Sequence, residues 1–135
     1  MTGSGGCPGR VTVVLPGDLA QVARARHVLG AWLGRAHPWH DTAVLLLSET
    51  LANTCAHSDS RLPGGLVEFT AETADGGVRI GVVDAGGGGA PLVARLAGND
   101  DEHGRGLWLL NALAKEWSSR SLPDGRREVR FIVDA

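Results

Sequence analysis

One stretch limits more than any other what this chain can fold into: Leu45-Leu46-Leu47-Ser48-Glu49-Thr50-Leu51-Ala52-Asn53-Thr54-Cys55-Ala56-His57-Ser58. Apolar residues recur at Val44, Leu47, Leu51 and Cys55, the spacing of one helical face. A long helix from about His40 to His57 is therefore expected, with that face anchored on a core. Asp41 and Thr42 stand near its start, where negative charge and capping oxygens are favoured. Glu49 and Asn53 are four apart and adjoin on one face, which is expected to point roughly away from the apolar one. An acid beside an amide on an anchored helix has two readings. It covers the wet side of an amphipathic helix, or it forms the polar half of a metal–phosphate site. In the second, Asn53 lends Mg²⁺ a neutral oxygen and Glu49 orients or deprotonates an attacking hydroxyl or water.

The rest of the chain supplies what such a helix would pack against. Arg10 to Leu15 is a β-branched run closed by Pro16-Gly17, a strand and turn. Asp18 is positioned to N-cap a helix from Leu19 to about Arg35, whose stripe includes Val22, Ala25, Leu29, Trp32 and Leu33. His37-Pro38-Trp39 separates it from the helix that carries Glu49. Ser58 to Gly65 reads as a polar loop. Strands are expected over 66–71 and 78–83, joined by the hairpin turn Asp75-Gly76-Gly77. A third helix is marked by Leu107, Leu110, Leu113/Ala114 and Trp117. Strands at about 118–122 and 128–133 close the chain through Pro123-Asp124-Gly125. Grouped helices and antiparallel hairpins predict an α+β class: a two-layer α/β sandwich, its mostly antiparallel mixed sheet covered by helices on one face.

Composition narrows the function classes. At 135 residues, 43% hydrophobic and 21% charged, the chain suits one globular domain with a real core. A Gly-rich tail, residues 1–9, is expected to be flexible and lacks the apolar run of a signal peptide; the domain proper spans 10–135. The net charge of −2 gives no reason to expect a direct nucleic-acid or acidic-membrane partner. No apolar run reaches the length of about 18 residues that reads as a membrane span. Cys7 and Cys55 are too few for a disulfide framework, and Cys55 falls on a helix core face. A reducing cytoplasm is the expected setting.

Two further motifs carry chemistry. Asp84 ends a strand and is followed by glycines that include Gly86 and Gly88. A carboxylate there can accept a hydrogen bond from an exocyclic amine such as that of adenine, and glycines let backbone approach a flat ring; the plain alternative is an Asp-Gly turn. Gly104-Arg105-Gly106 opens a helix, where free N–H groups and the dipole favour phosphate and Arg105 adds a charge-assisted contact. Its alternative is a simple turn into the helix. The segment between them, Gly89 to His103, is either a lid or a surface loop. His27, His37, His40, His57 and His103 lack the spacing of a zinc set. No Gly-x-x-x-x-Gly-Lys-Ser/Thr loop or Gly-x-Ser-x-Gly elbow occurs.

The order of these motifs resembles the Bergerat-fold ATPases. Glu49 to Asn53 looks like the N box, Asp84-Ala85-Gly86-Gly87-Gly88 like the first glycine box, and Gly104-Arg105-Gly106-Leu107 like the second. The run Ser48-Glu49-Thr50-Leu51-Ala52-Asn53 with His57-Ser58 is similar to the core of the bacterial anti-sigma-factor serine/threonine-protein kinases. Departures are the long glycine run and Thr54-Cys55-Ala56 after the N-box Asn. The resemblance implies ATP and Mg²⁺ as cofactors, with Asn53 holding the metal and Glu49 as catalytic base. It implies that Asp84, Gly86 and Gly88 form the base pocket, and that Gly104, Arg105, Gly106 and Leu107 meet the phosphates. It implies partners too: a sigma factor and an anti-anti-sigma antagonist that is phosphorylated, with a homodimer allowed because relatives are commonly dimers. The rival function is a non-catalytic, nucleotide-sensing module that sequesters a sigma factor or other regulator.

Overall fold

Alternating side chains set the sheet's two faces. Strand β1 (Arg10–Pro16) turns Val11, Val13 and Leu15 inward and leaves Thr12 and Val14 outside. The computed structural model describes residues 9–86 and 108–134, with His57 and Ala74 described as backbone only. After β1 come helix α1 (Gln21–Leu33), helix α2 (His40–His57), a 3₁₀ turn (Asp59–Arg61), β2 (Leu66–Ala74) and β3 (Gly77–Asp84). Residues 108–113 are helical and are called α3; β4 (Glu116–Ser121) and β5 (Arg127–Val133) follow. The sheet runs β1-β2-β3-β5-β4. Every described pairing is antiparallel, so the expected mixed character has no parallel pair among the described residues. The α+β two-layer architecture is as predicted.

The hairpin between β2 and β3 turns on Asp75 and Gly76, both at positive φ (53° and 83°), the backbone hand that suits the twist of paired strands. Inward residues Leu15, Val67, Phe69, Ala71, Ile80, Val82, Val129 and Phe131 form one core with Ala25, Leu29, Leu33, Leu46, Leu47 and Leu51. Leu109 and Leu110 join it from α3. Packing, rather than capping, places α2: its N-cap Trp39 makes no side-chain cap bond. Such a cap is worth about 1 kcal/mol, whereas full burial of each Leu is worth about 2 kcal/mol. Because α2 lies against α1 as well as the sheet, its buried surface is wider than a single stripe.

The structure corrects some local expectations. Trp117 belongs to β4 opposite Phe131, not to the third helix; the Lys115 N–H donates to the Ile132 carbonyl at 2.7 Å, so sheet pairing has already begun there. Asp18 does not cap α1 itself. Its carboxylate accepts from the Ala20 N–H at 2.9 Å in the turn before the helix. Helix α1 stops at Leu33 because Gly34 takes φ 82°. Among the described residues no helix is long and apolar enough to cross a membrane.

Candidate functional site

The C-terminal half of α2 and the end of β3 meet where the core runs out. Asp84 is the last residue of β3, on the same face as Ile80 and Val82, and is 3% exposed. A buried carboxylate needs donors. The Thr54 hydroxyl donates to Asp84 Oδ2 at 3.1 Å, and the Gly86 N–H donates to Oδ1 at 2.6 Å. Thr54 is therefore the link between the two predicted site segments. Sequence reasoning missed it, because a threonine following an asparagine on a helix carries no signal of its own.

Asn53, beside Thr54 in the chain, is not on the wet face that the spacing predicts. It is 9% exposed. The stripe rule assumes one buried side, and α2 has more than one. Asn53 Oδ1 is buried and meets no hydrogen-bond partner among the described residues. Most buried polar atoms are bonded, and leaving one unmet costs about 1–3 kcal/mol. Glu49 lies one helical turn away, half-buried.

Backbone contacts fix the segment that follows Asp84. The Ala85 N–H donates to Ser60 Oγ at 2.9 Å, and the Asp59 N–H donates to the Gly86 carbonyl at 2.8 Å. Ser60 Oγ in turn donates to the Leu66 carbonyl at 2.7 Å. The loop read as simply polar thus contains a 3₁₀ turn that grips the strand end through its buried Ser60. Gly86 has φ 74°, and a Cβ on it would overlap the Gly125 carbonyl oxygen, so glycine is required on both counts. The β4–β5 turn consequently walls the same site.

Electrostatics in this corner act on one group most. Burial pushes the Cys55 thiol up to about 11, and the carboxylates of Asp18 and Asp84 push it the same way. A thiol with that pKa stays protonated and behaves as a small apolar group. His37 and His40 make local bonds. The Trp39 N–H donates to His37 Nδ1 at 3.0 Å, and His40 Nδ1 lies 2.8 Å from Asp41 Oδ1.

The structure thus brings Glu49, Asn53, Asp84 and Gly86 to one end of the sheet. Gly88, Gly104, Arg105, Gly106, Leu107 and the segment from Gly89 to His103 lie outside the described residues, as does the tail over 1–8. No curated protein matches the chain. The family profile described as histidine kinase-like ATPase domain matches residues 15–133, from the end of β1 to the end of β5. The chain is a member of that family, an ATP-binding domain of the Bergerat-fold (GHKL) group.

Proposed function

We propose that this chain is an ATP-dependent serine/threonine-protein kinase of the anti-sigma-factor type, which phosphorylates an antagonist protein in a partner-switching circuit. The observation that carries the reading is the buried, unmet Asn53 Oδ1, held next to the Thr54–Asp84 bond with Glu49 one turn away. The sequence run Ser48-Glu49…Asn53…His57-Ser58 supports the narrower kinase type. The residues suit ATP and Mg²⁺. Mg²⁺ takes oxygen ligands, and a buried amide oxygen with no donor among the described residues is one. A carboxylate has about four lone-pair sites, and in this reading Asp84, held by the Thr54 hydroxyl and the Gly86 N–H, accepts from an adenine amine as well.

In this reading Asn53 holds Mg²⁺, Asp84 accepts from the base, and Gly86 and Gly88 line the base pocket. Gly104, Arg105, Gly106 and Leu107 cradle the phosphates. Glu49 takes the proton of the partner's serine or threonine hydroxyl as that oxygen attacks. Bound ATP would supply its γ-phosphoryl group and leave as ADP, and Mg²⁺ held by Asn53 would neutralise charge on the phosphates. The protein's share is positioning and charge stabilisation, which dominate phosphoryl transfer. The partners are a sigma factor and its antagonist, met in the cytoplasm, and the chain pairs with a second copy as its relatives commonly do.

Incubation with labelled ATP, Mg²⁺ and candidate antagonists tests the reading: phosphoserine or phosphothreonine is expected on the antagonist. ATP binding without transfer to any antagonist would leave the sequestering module instead. A Glu49→Ala variant that transfers at full rate removes Glu49 as base. An Asn53→Ala variant whose ATP affinity keeps its full Mg²⁺ dependence removes the metal role.

A further inference from the structure

The strand pairing sets a second charged residue beside Asp84. In the β3–β5 ladder Asp84 is the register partner of Arg127. Directly opposed residues stand about 4.5–5.5 Å apart and share a face. That face is the inner one: Arg127 has the parity of Val129 and Phe131, both buried, as Asp84 has the parity of Val82 and Ile80. Arg127 is half-buried. Its neighbour Arg126 has the opposite parity. It lines a groove of about 490 Å³ at the sheet end with Val14, Leu66, Val83 and Asp84, and its Nε donates to Asp124 at 2.7 Å. Consecutive arginines thus straddle the sheet end, and only Arg127 faces the helices.

The chemistry of a purine makes that placement consequential. An adenine whose exocyclic amine donates to Asp84 carries acceptor nitrogens, N1 and N7, flanking that amine. A carboxylate offers these nothing, so donors must come from beside it. Among the described residues, the Thr54 hydroxyl and the Gly86 N–H are directed to Asp84, the Ala85 N–H to Ser60, and the Gly125 N–H to the Leu122 carbonyl. A guanidinium has five N–H donors in a rigid fork. It can keep a bond to a protein neighbour and still donate to a ligand.

We infer that Arg127 is a second base-reading residue, donating from β5 to an acceptor nitrogen of the adenine ring whose amine Asp84 accepts. This rests on the proposed role of Asp84, and the test separates the two. Calorimetric titration of the full chain uses ATP, 1-deaza-ATP and 7-deaza-ATP, which lose one ring acceptor each and keep the amine. Wild type, Arg127→Leu and Asp84→Asn are compared. One deaza analogue should bind wild type about tenfold more weakly than ATP, the effect of a charge-assisted hydrogen bond; which one identifies N1 or N7. Arg127→Leu should lose about the same factor for ATP and no longer distinguish ATP from that analogue.

Equal binding of ATP and both analogues by wild type overturns the inference without any variant. So does an Arg127→Leu variant that weakens ATP and both analogues alike, since that is a charge-balancing role towards Asp84. A thermal melt accompanies each variant; should Arg127→Leu not fold, Arg127→Met, which also lacks a donor, takes its place, with the same expected loss of discrimination. If Asp84→Asn leaves ATP binding unchanged, the Asp84 reading itself fails. If ATP binding needs Asp84 and ignores the ring nitrogens, only the Arg127 inference fails.

Discussion

Two polar clusters, one in the last turns of α2 and one just past its end, are treated in opposite ways. Around Ser58 and Ser60 the hydroxyls are used twice. Ser58 Oγ donates to the Thr54 carbonyl at 2.8 Å and accepts from the Ser60 N–H at 3.1 Å. Ser60 Oγ accepts from Ala85 and donates to Leu66. Both serines are at most 1% exposed. Asn53, 9% exposed, keeps a buried Oδ1 unmet among the described residues. The first cluster behaves as a fully satisfied network that fixes a backbone crossing. The second retains an unmet acceptor among the described residues, which in the proposed reading a bound ligand satisfies. The contrast separates the scaffold of the site from its working edge more clearly than burial does.

Breaking the scaffold should have the largest effect. Gly17 packs against the 3₁₀ turn so closely that a Cβ would overlap the Ser60 carbonyl oxygen, a backbone atom. Gly17→Ala should lower unfolding free energy by about 3 kcal/mol, the upper end for overpacking, as read by urea denaturation. Ser60→Ala comes next. It strands the Ala85 N–H and removes a donor from the Leu66 carbonyl, costing about 2 kcal/mol. Because Ala85 follows Asp84, ATP affinity should fall with it. A Ser60→Ala protein as stable as wild type would erase the distinction between the clusters.

The sequence makes the scaffold's elements readable and its contacts largely unreadable. Helix α2 matches the expected His40–His57 because its apolar spacing is long and regular. The β2–β3 hairpin follows from Asp75-Gly76, whose positive φ values few other dipeptides accept. Asn53 and Trp117 go wrong for one shared reason: each fits a local helical pattern, and tertiary packing overrides it. Trp117 is taken by Phe131 across the sheet, and Asn53 is enclosed because α2 is buried on more than one side. Asp84 and Gly86 are legible as a strand end with a turn. The partners that hold them, Thr54, Ser60 and the Gly125 turn, come from segments remote in sequence, and no local pattern announces them.

Cys55 sharpens the comparison with a buried group that needs no partner. Its thiol is raised to about 11 by burial first and by Asp18 and Asp84 second. The folded state holds the proton more tightly than the unfolded chain, whose value is near 9.0. Stability from this group is whole below pH 9 and falls as pH climbs towards 11, because only the unfolded state has released the proton. The chain has no tyrosine, and Lys115 is its one lysine, so few other groups titrate in that window. Wild type should lose roughly 1–2 kcal/mol between pH 9 and 11 relative to Cys55→Ala, measured by denaturation at stepped pH. Parallel curves for the two proteins would show that the thiol is not held neutral by the fold.

The smallest stability effect is expected where the functional loss is greatest, at Asn53. A scaffold amide should unfold the protein when removed, whereas an unmet one should not. Asn53→Leu deletes Oδ1, which lacks a partner among the described residues, and fills similar volume with apolar atoms. Replacing an unmet polar group by an apolar one of like shape is near neutral or stabilising, so the melting midpoint should hold or rise slightly. Mg²⁺-dependent ATP affinity, read by calorimetry on the same sample, should fall at least tenfold. A clear loss of stability would mean that Asn53 belongs with the serines, its bonds made inside the protein. Intact stability with intact Mg²⁺ dependence would mean that Oδ1 is unmet for a reason unrelated to metal. Only intact stability with lost Mg²⁺ dependence fits a group held unbonded for its ligand, and that pairing of outcomes is what the contrast between the clusters requires.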